Sequence, residues 1–380
     1  MSETSPTAPR RPTGGRRLFA VVAGTAIWAA VVWAGAFLAV REMGRGFHSG
    51  HWSRSLDRFE NSAPLARLDS YWYSTIAVEG YEWKADGGRH NVGFFPLYPA
   101  ILSTIYRAIG IHPFLSGSVV SILALLLGVR LAAELAGEEG FDPRFAVGAM
   151  LLFPVSFFLV AVYSESLFLL FSAGCLLALR RGRPARAAAF GFFAGLTRPM
   201  GFLLALAILW GGLDRARKTA SRKTLLAWLA ASAGPPAGAG AYAVYLWFRF
   251  GSPLVYLQTQ SVSWHHKLLQ APWTPLLHAV LWSPSWRLES ALVVAFALLS
   301  VLLFVRGFRP EGVYGAATIL FILETDGIVG APRYLLLLFP CFFLIGEGMR
   351  RWRILRWAYG IAGALGLAYL TARFAIGYFV

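Results

Sequence analysis

A lone carboxylate among aromatic rings is the first chemistry this sequence offers. Asp69 lies in Arg67-Leu68-Asp69-Ser70-Tyr71-Trp72-Tyr73, where Tyr71 and Trp72 supply stacking faces and partial desolvation. Such a carboxylate suits a general base acting on a sugar hydroxyl. An Asp also caps helix N-termini, and the residues alone leave both readings open. Glu165, in Tyr163-Ser164-Glu165-Ser166-Leu167-Phe168, sits between two apolar runs. It reads either as an acceptor for substrate hydroxyls or as a helix-start carboxylate favoured by the dipole.

Two arginines are candidates for an anionic group. Arg198, in Thr197-Arg198-Pro199, carries a planar fork that matches phosphate, although it can equally snorkel to an interface. Arg333, in Ala331-Pro332-Arg333-Tyr334, is the second, with Glu324 and Asp326 close enough in sequence to neutralise it. The pair His265-His266 lacks further ligands at metal-binding spacing, so no metal and no cofactor is expected. A Walker loop, a GxGxxG segment and a DxD pair in a long polar stretch are all missing, which excludes a soluble nucleotide-binding part. Any activated substrate is therefore expected to arrive through the membrane.

The elements that must position these residues are apolar. The chain is 57% hydrophobic and only 14% charged, where soluble domains carry about a quarter of their residues as charges. Apolar runs long enough to cross a bilayer recur along it, and they are too uniform for the alternating strands of a barrel. The expected fold is all-α and polytopic, a bundle of about 9–11 transmembrane or re-entrant helices. Residues 1–17 read as a disordered cytoplasmic terminus and 18–380 as one integral-membrane domain. Cys175 and Cys341 fall inside apolar runs, so no disulfide framework is expected.

Charge distribution sets the topology. The net charge of +16 is gathered in short stretches around Arg10–Arg17, Arg180–Arg186, Arg215–Lys223, Arg306–Arg309 and Arg350–Arg356. These hold more than half of the 35 basic residues. Such stretches favour the cytoplasmic side and anionic lipid headgroups, not nucleic acid. Residues 41–95 balance seven basic against seven acidic side chains, and 249–287 has only Arg249, Lys267 and Arg287 as cations. Both are expected as extracytoplasmic loops, the first carrying a surface helix near Ser55–Glu60. Further spans are expected over 114–135, 145–161, 167–180, 225–248, 288–305, 312–330, 333–349 and 357–379. Whether 94–112 crosses is left open. Between Ala187 and Gly212 both flanking basic clusters demand the same side, so the chain should form a hairpin broken at Pro199, with Arg198 at its tip.

Four motifs occur in order: Leu68-Asp69-Ser70 with Gly80-Tyr81, Phe94-Phe95-Pro96-Leu97-Tyr98-Pro99, Tyr163-Ser164-Glu165-Ser166, and Gly195-Leu196-Thr197-Arg198-Pro199-Met200-Gly201. The chain thereby resembles the GPI mannosyltransferase 2 family and its bacterial relatives, within the type C glycosyltransferase superfamily. The likeness covers residues 65–205 well and the C-terminal half loosely. The family carries a Trp-Asp pair where this chain has Leu68-Asp69. The resemblance implies a polyprenyl-phosphate sugar donor, mannose in particular, and transfer on the extracytoplasmic face of the cell membrane. It also adds Tyr81 and Tyr163 to the substrate-binding candidates. The Ala-, Gly- and Arg-rich composition points to a bacterial chain, and so away from a GPI precursor as acceptor. The acceptor is expected to be a glycan or glycolipid. The reading is an inverting membrane glycosyltransferase with Asp69 as base and Tyr71, Trp72, Tyr81, Tyr163, Glu165, Arg198 and Arg333 on substrate. The alternative is a lipid-linked-sugar flippase or transporter with no transferase activity.

Overall fold

The computed structural model describes residues 14–43, 63–86, 88–263, 270–283, 286–325, 328 and 330–378. The Ser55–Glu60 surface helix, His265-His266, Asp326 and most of the N-terminal stretch lie outside them. Among the described residues every regular element is helical and there is no strand. The first half comprises α1 (Gly15–Met43), α2 (Asp69–Glu79), α3 (Leu97–Ile109), α4 (Pro113–Glu138), α5 (Pro143–Leu151), α6 (Glu165–Arg180) and α7 (Pro184–Thr197). The second comprises α8 (Leu204–Thr219), α9 (Arg222–Ser232), α10 (Gly234–Phe250), α11 (Val255–Gln258), α12 (Trp273–Leu281), α13 (Arg287–Val305), α14 (Arg309–Glu324), α15 (Ala331–Leu336), α16 (Cys341–Arg351) and α17 (Arg353–Ala375). The segments Gly15–Met43, Pro113–Glu138, Pro199–Thr219 and Arg287–Val305 are each long and apolar enough to cross a membrane. The chain is an all-α polytopic membrane protein.

Several expected single spans are broken, and prolines mark the breaks. The run 145–161 stops as α5 at Leu151, ahead of Pro154, and continues as a 3₁₀ turn over Ser156–Leu159. The run 225–248 divides between α9 and α10 at Gly234-Pro235-Pro236. The run 333–349 divides between α15 and α16 at Pro340. A proline removes one ladder donor and pushes its predecessor out of the helical region. The first and third breaks lie at buried positions, Phe157 in one and Leu338 and Phe339 in the other, where irregular backbone is covered by protein rather than lipid.

Stretch 94–112 does not cross. The Tyr98 hydroxyl, in the first turn of α3, bonds to the Gly117 carbonyl at 3.0 Å and Ser121 Oγ at 2.9 Å in α4. Gly110 then closes α3 in the left-handed conformation (φ 71°), and α4 starts at Pro113. Both ends of α3 therefore lie beside the first turns of α4, and the helix stays at that end of the bundle.

The hairpin between α7 and α8 is present. Arg215, near the end of α8, donates from Nη2 to the carbonyls of Leu179 (2.9 Å) and Arg180 (2.6 Å) at the end of α6. The chain enters α7 four residues after Arg180, so both ends of the hairpin meet at one place. Gly201 folds the return limb onto the first; a Cβ there would collide with the Ala194 carbonyl and the Gly195 amide. Basic clusters collect at this same end. Arg180 pairs with Glu139 at 3.2 Å, Arg181 with Glu134 and Glu138 at 2.7 Å, and Arg306 with Glu347 at 2.8 Å.

Candidate active site

The opposite end of the bundle holds the chemistry. Asp69 opens α2, Glu165 opens α6, Arg198 follows the end of α7, and Arg333 lies in short α15. Four elements distant in sequence thus deliver four charges to one place. Arg333 Nη1 donates to Asp69 Oδ2 at 2.6 Å, and Arg333 Nε donates to Glu165 Oε1. Arg198 Nη1 reaches the same Glu165 oxygen at 2.8 Å. The result is an alternating row of Asp69, Arg333, Glu165 and Arg198. Neither Glu324 nor Asp326 is required to neutralise Arg333.

Exposure separates the row into two parts. Glu165 is completely buried and the Arg198 side chain only 7% exposed, whereas Asp69 and Arg333 keep 27% and 20% of their side-chain surface. A buried carboxylate of this kind is tolerable only when paired and hydrogen-bonded, and both guanidinia supply that. Asp69 and Arg333 are thus the members of the row that solvent reaches. Tyr163 and Phe158 present their faces to the Arg333 guanidinium at 4.4 and 5.0 Å, and Tyr334 lies 5.4 Å from that of Arg198. Such stacking holds a guanidinium without consuming its donors.

Asp69 does not cap its helix. The N-cap position of α2 is Leu68, no side chain caps it, and the Asp69 carboxylate is turned to Arg333 instead. The same holds for α6, whose N-cap Ser164 gives no capping bond. Leu68 has φ 52° and ψ −115°, a conformation that costs a branched side chain about 1–3 kcal/mol. Tyr163 clamps it from both sides. Its hydroxyl accepts the Asp69 N–H at 3.1 Å and donates to the Arg67 carbonyl at 3.0 Å. Arg67 is itself anchored, donating from Nε to the Ala375 carbonyl at 2.9 Å.

The remaining aromatic candidates divide. Tyr71 is buried against Phe114, edge to face at 5.4 Å. The Tyr81 hydroxyl donates to the Phe94 carbonyl at 2.8 Å, with the ring against Tyr242 and Tyr245. Trp72 stacks on Phe94 at 5.9 Å and stays partly exposed. Packing thus engages Tyr71 through its ring and Tyr81 and Tyr163 through ring and hydroxyl, and Tyr163 holds the turn that carries Asp69. Sequence reasoning passed over Tyr73 and Ser164. Tyr73 bonds Ser164 Oγ at 2.9 Å, and that oxygen accepts Arg198 Nη1 at 3.2 Å. The signal was available, since Tyr73 stands four residues after Asp69 on one helix face and Ser164 adjoins Glu165. Among the described residues no three His, Cys, Asp or Glu side chains gather to hold a metal.

An all-helical membrane bundle with a buried ion row at one end is the frame in which the comparisons fall. Residues 47–223 match the family described as mannosyltransferase (PIG-V), so the likeness that the four motifs carry holds across that region. The match supports a membrane glycosyltransferase of the mannosyltransferase kind. It spans Asp69, Glu165 and Arg198 but ends well before Arg333, which geometry alone joins to them. No curated protein matches the chain.

Proposed function

We propose that the chain transfers mannose from a polyprenyl phosphate to a glycan or glycolipid hydroxyl on the extracytoplasmic face, with inversion at the anomeric carbon. One observation carries this reading: Arg333 touches the carboxylate of Asp69, and both side chains stay partly exposed. Asp69 accepts the proton of the acceptor hydroxyl, whose oxygen attacks the anomeric carbon. The bond from that carbon to the phosphate oxygen breaks, and its electron pair leaves on polyprenyl phosphate. An unperturbed Asp is a weak base, near pKa 3.9. It suffices because the hydroxyl becomes acidic only as the new bond forms. Arg333 meets the growing phosphate charge and so stabilises the transition state more than the ground state. Glu165 and Arg198 hold Arg333 in place and do not touch the reacting atoms.

The site fits a lipid-borne donor because the charged row belongs to a bundle whose helices are long and apolar enough to cross a membrane. The test is to incubate the purified full chain with polyprenyl-phosphate-mannose and a panel of glycan and glycolipid acceptors. Transfer by the unchanged chain, reduced about 10²–10⁴-fold in Asp69→Asn, is expected for loss of a general base. Full turnover by Asp69→Asn removes Asp69 from the mechanism. Uptake of donor without transfer to any acceptor would instead favour a lipid-linked-sugar carrier.

A further inference from the structure

The arginine-rich end of the bundle encloses a polar cavity of about 280 Å³, far from Asp69 and Arg333. It lies between the ends of α4, α6 and α8 and the turn from α13 to α14. Its charged lining is Glu139, Arg180, Asp214, Arg215, Lys218 and Glu311. Four of these satisfy one another: Arg180 pairs with Glu139 at 3.2 Å, and Lys218 with Asp214 at 2.6 Å. Two do not. Glu311 is only 5% exposed and forms no ion pair among the described residues. Arg215 spends Nη2 on two backbone carbonyls and likewise has no carboxylate partner among the described residues.

A carboxylate and a guanidinium therefore line one cavity without meeting. Burying a charge without a partner is costly, and opposite charges held apart are each satisfied by an occupant that carries both signs. A bare anion would face Glu311 across the cavity, and a bare cation would face Arg215. We propose that this cavity binds a phosphoethanolamine group, its ammonium against Glu311 and its phosphate against Arg215. The Arg fork suits phosphate oxygens, and a primary ammonium donates to the Glu311 carboxylate. Phe308 and Leu179 supply an apolar wall for the adjoining chain. Helix ends rich in Arg are where lipid headgroups meet a membrane protein. The headgroup of a phosphatidylethanolamine lipid and free phosphoethanolamine share this chemistry, and the site takes either.

The test uses the full chain in detergent, with ligand-induced shifts in melting temperature and lipid adducts in native mass spectrometry. Probes are phosphatidylethanolamine, phosphatidylcholine, phosphatidylglycerol and free phosphoethanolamine. Phosphatidylethanolamine should bind at least about tenfold tighter than the other two lipids, the equivalent of one charge-assisted hydrogen bond. Glu311→Gln should remove that preference while leaving phosphatidylglycerol binding intact, and Arg215→Gln should weaken both. Each variant is compared with itself without ligand, and Glu311→Met replaces Glu311→Gln should the latter fail to fold. Competition by free phosphoethanolamine extends the site to the soluble group; lack of competition restricts it to the lipid. Equal binding of all three lipids, or a preference that survives Glu311→Gln, overturns the proposal. Sugar transfer is not the readout, so this outcome is independent of the role proposed for Asp69.

Discussion

At the scale of single residues, Glu165 is the hinge of the charged row. Its one oxygen Oε1 serves both Arg333 and Arg198 while its side chain has no contact with solvent. Removing one partner of a buried ion pair leaves uncompensated charge and costs about 3–5 kcal/mol. Glu165→Gln should therefore lower the melting temperature far more than Asp69→Asn, whose site is partly open. Thermal melts of the two variants in one detergent check this. Arg333→Lys keeps the charge but not the two directed donors that reach Asp69 and Glu165 at once. It should raise the KM for donor several-fold and fail to restore full turnover. Wild-type kinetics in Arg333→Lys would show that charge alone is required.

At the scale of elements, two backbone devices aim the side chains. The turn Arg67-Leu68-Asp69 stays strained because the Tyr163 hydroxyl bonds both of its flanks. Tyr163→Phe removes two hydrogen bonds, each worth about 0.5–1.5 kcal/mol, and should lower kcat with donor binding little changed. Glycine adopts positive φ without the Cβ clash, so Leu68→Gly in the Tyr163→Phe background should recover part of the lost rate. No recovery would mean the turn does not position Asp69. The second device is the close return of the α7–α8 hairpin. Gly201→Ala pushes a methyl into the Ala194 carbonyl and should displace Arg198, destabilising the chain without touching any charged group.

The turn beyond α4 gives a further expectation. Burial, with Glu311 beside it, pushes the Glu139 carboxyl from its ordinary 4.5 up to about 8. The folded chain thus holds a proton that the unfolded chain releases near 4.5. More protons bound in the fold means that stability falls as pH rises through this window, and levels off above about 8. Melting curves between pH 5 and 9 should show that decline, roughly in line with one titrating carboxyl. Glu139→Gln should flatten it, and an unchanged slope would assign the decline to other groups.

At the scale of the whole molecule, the basic clusters and the ion row occupy opposite ends of one bundle. With the basic clusters inside, as the positive-inside bias predicts, the row would lie on the outer face, as the proposed function requires. Cys175 and Cys341 are both buried, so neither should react with an impermeant thiol reagent. Lys84→Cys, exposed beyond α2, should react with an impermeant maleimide on intact cells, whereas Thr219→Cys, exposed at the end of α8, should not. The reverse pattern would invert the topology and move the proposed transfer to the cytoplasm.

Much of this was legible in the sequence because it depends on local composition. Apolar run length declares a membrane bundle, since no other solvent accepts such helices. Arg clusters at Arg180 and Arg215, on either side of Pro199, already require the hairpin, because one span cannot have two inner ends. Asp69, Glu165, Arg198 and Arg333 stand out singly, as charges are costly among apolar neighbours. Their partnership was not legible. Asp69 and Arg333 are 264 positions apart, and no local pattern encodes a contact closed only when α2, α6, α7 and α15 pack together. The division of labour was hidden for the same reason. Tyr163 and Tyr71 look like Trp72 in sequence, and only burial separates these two enclosed rings from the partly exposed one. Composition and charge spacing determine the class of protein and predict an orientation; which charges meet, and which of them faces solvent, is decided by long-range packing.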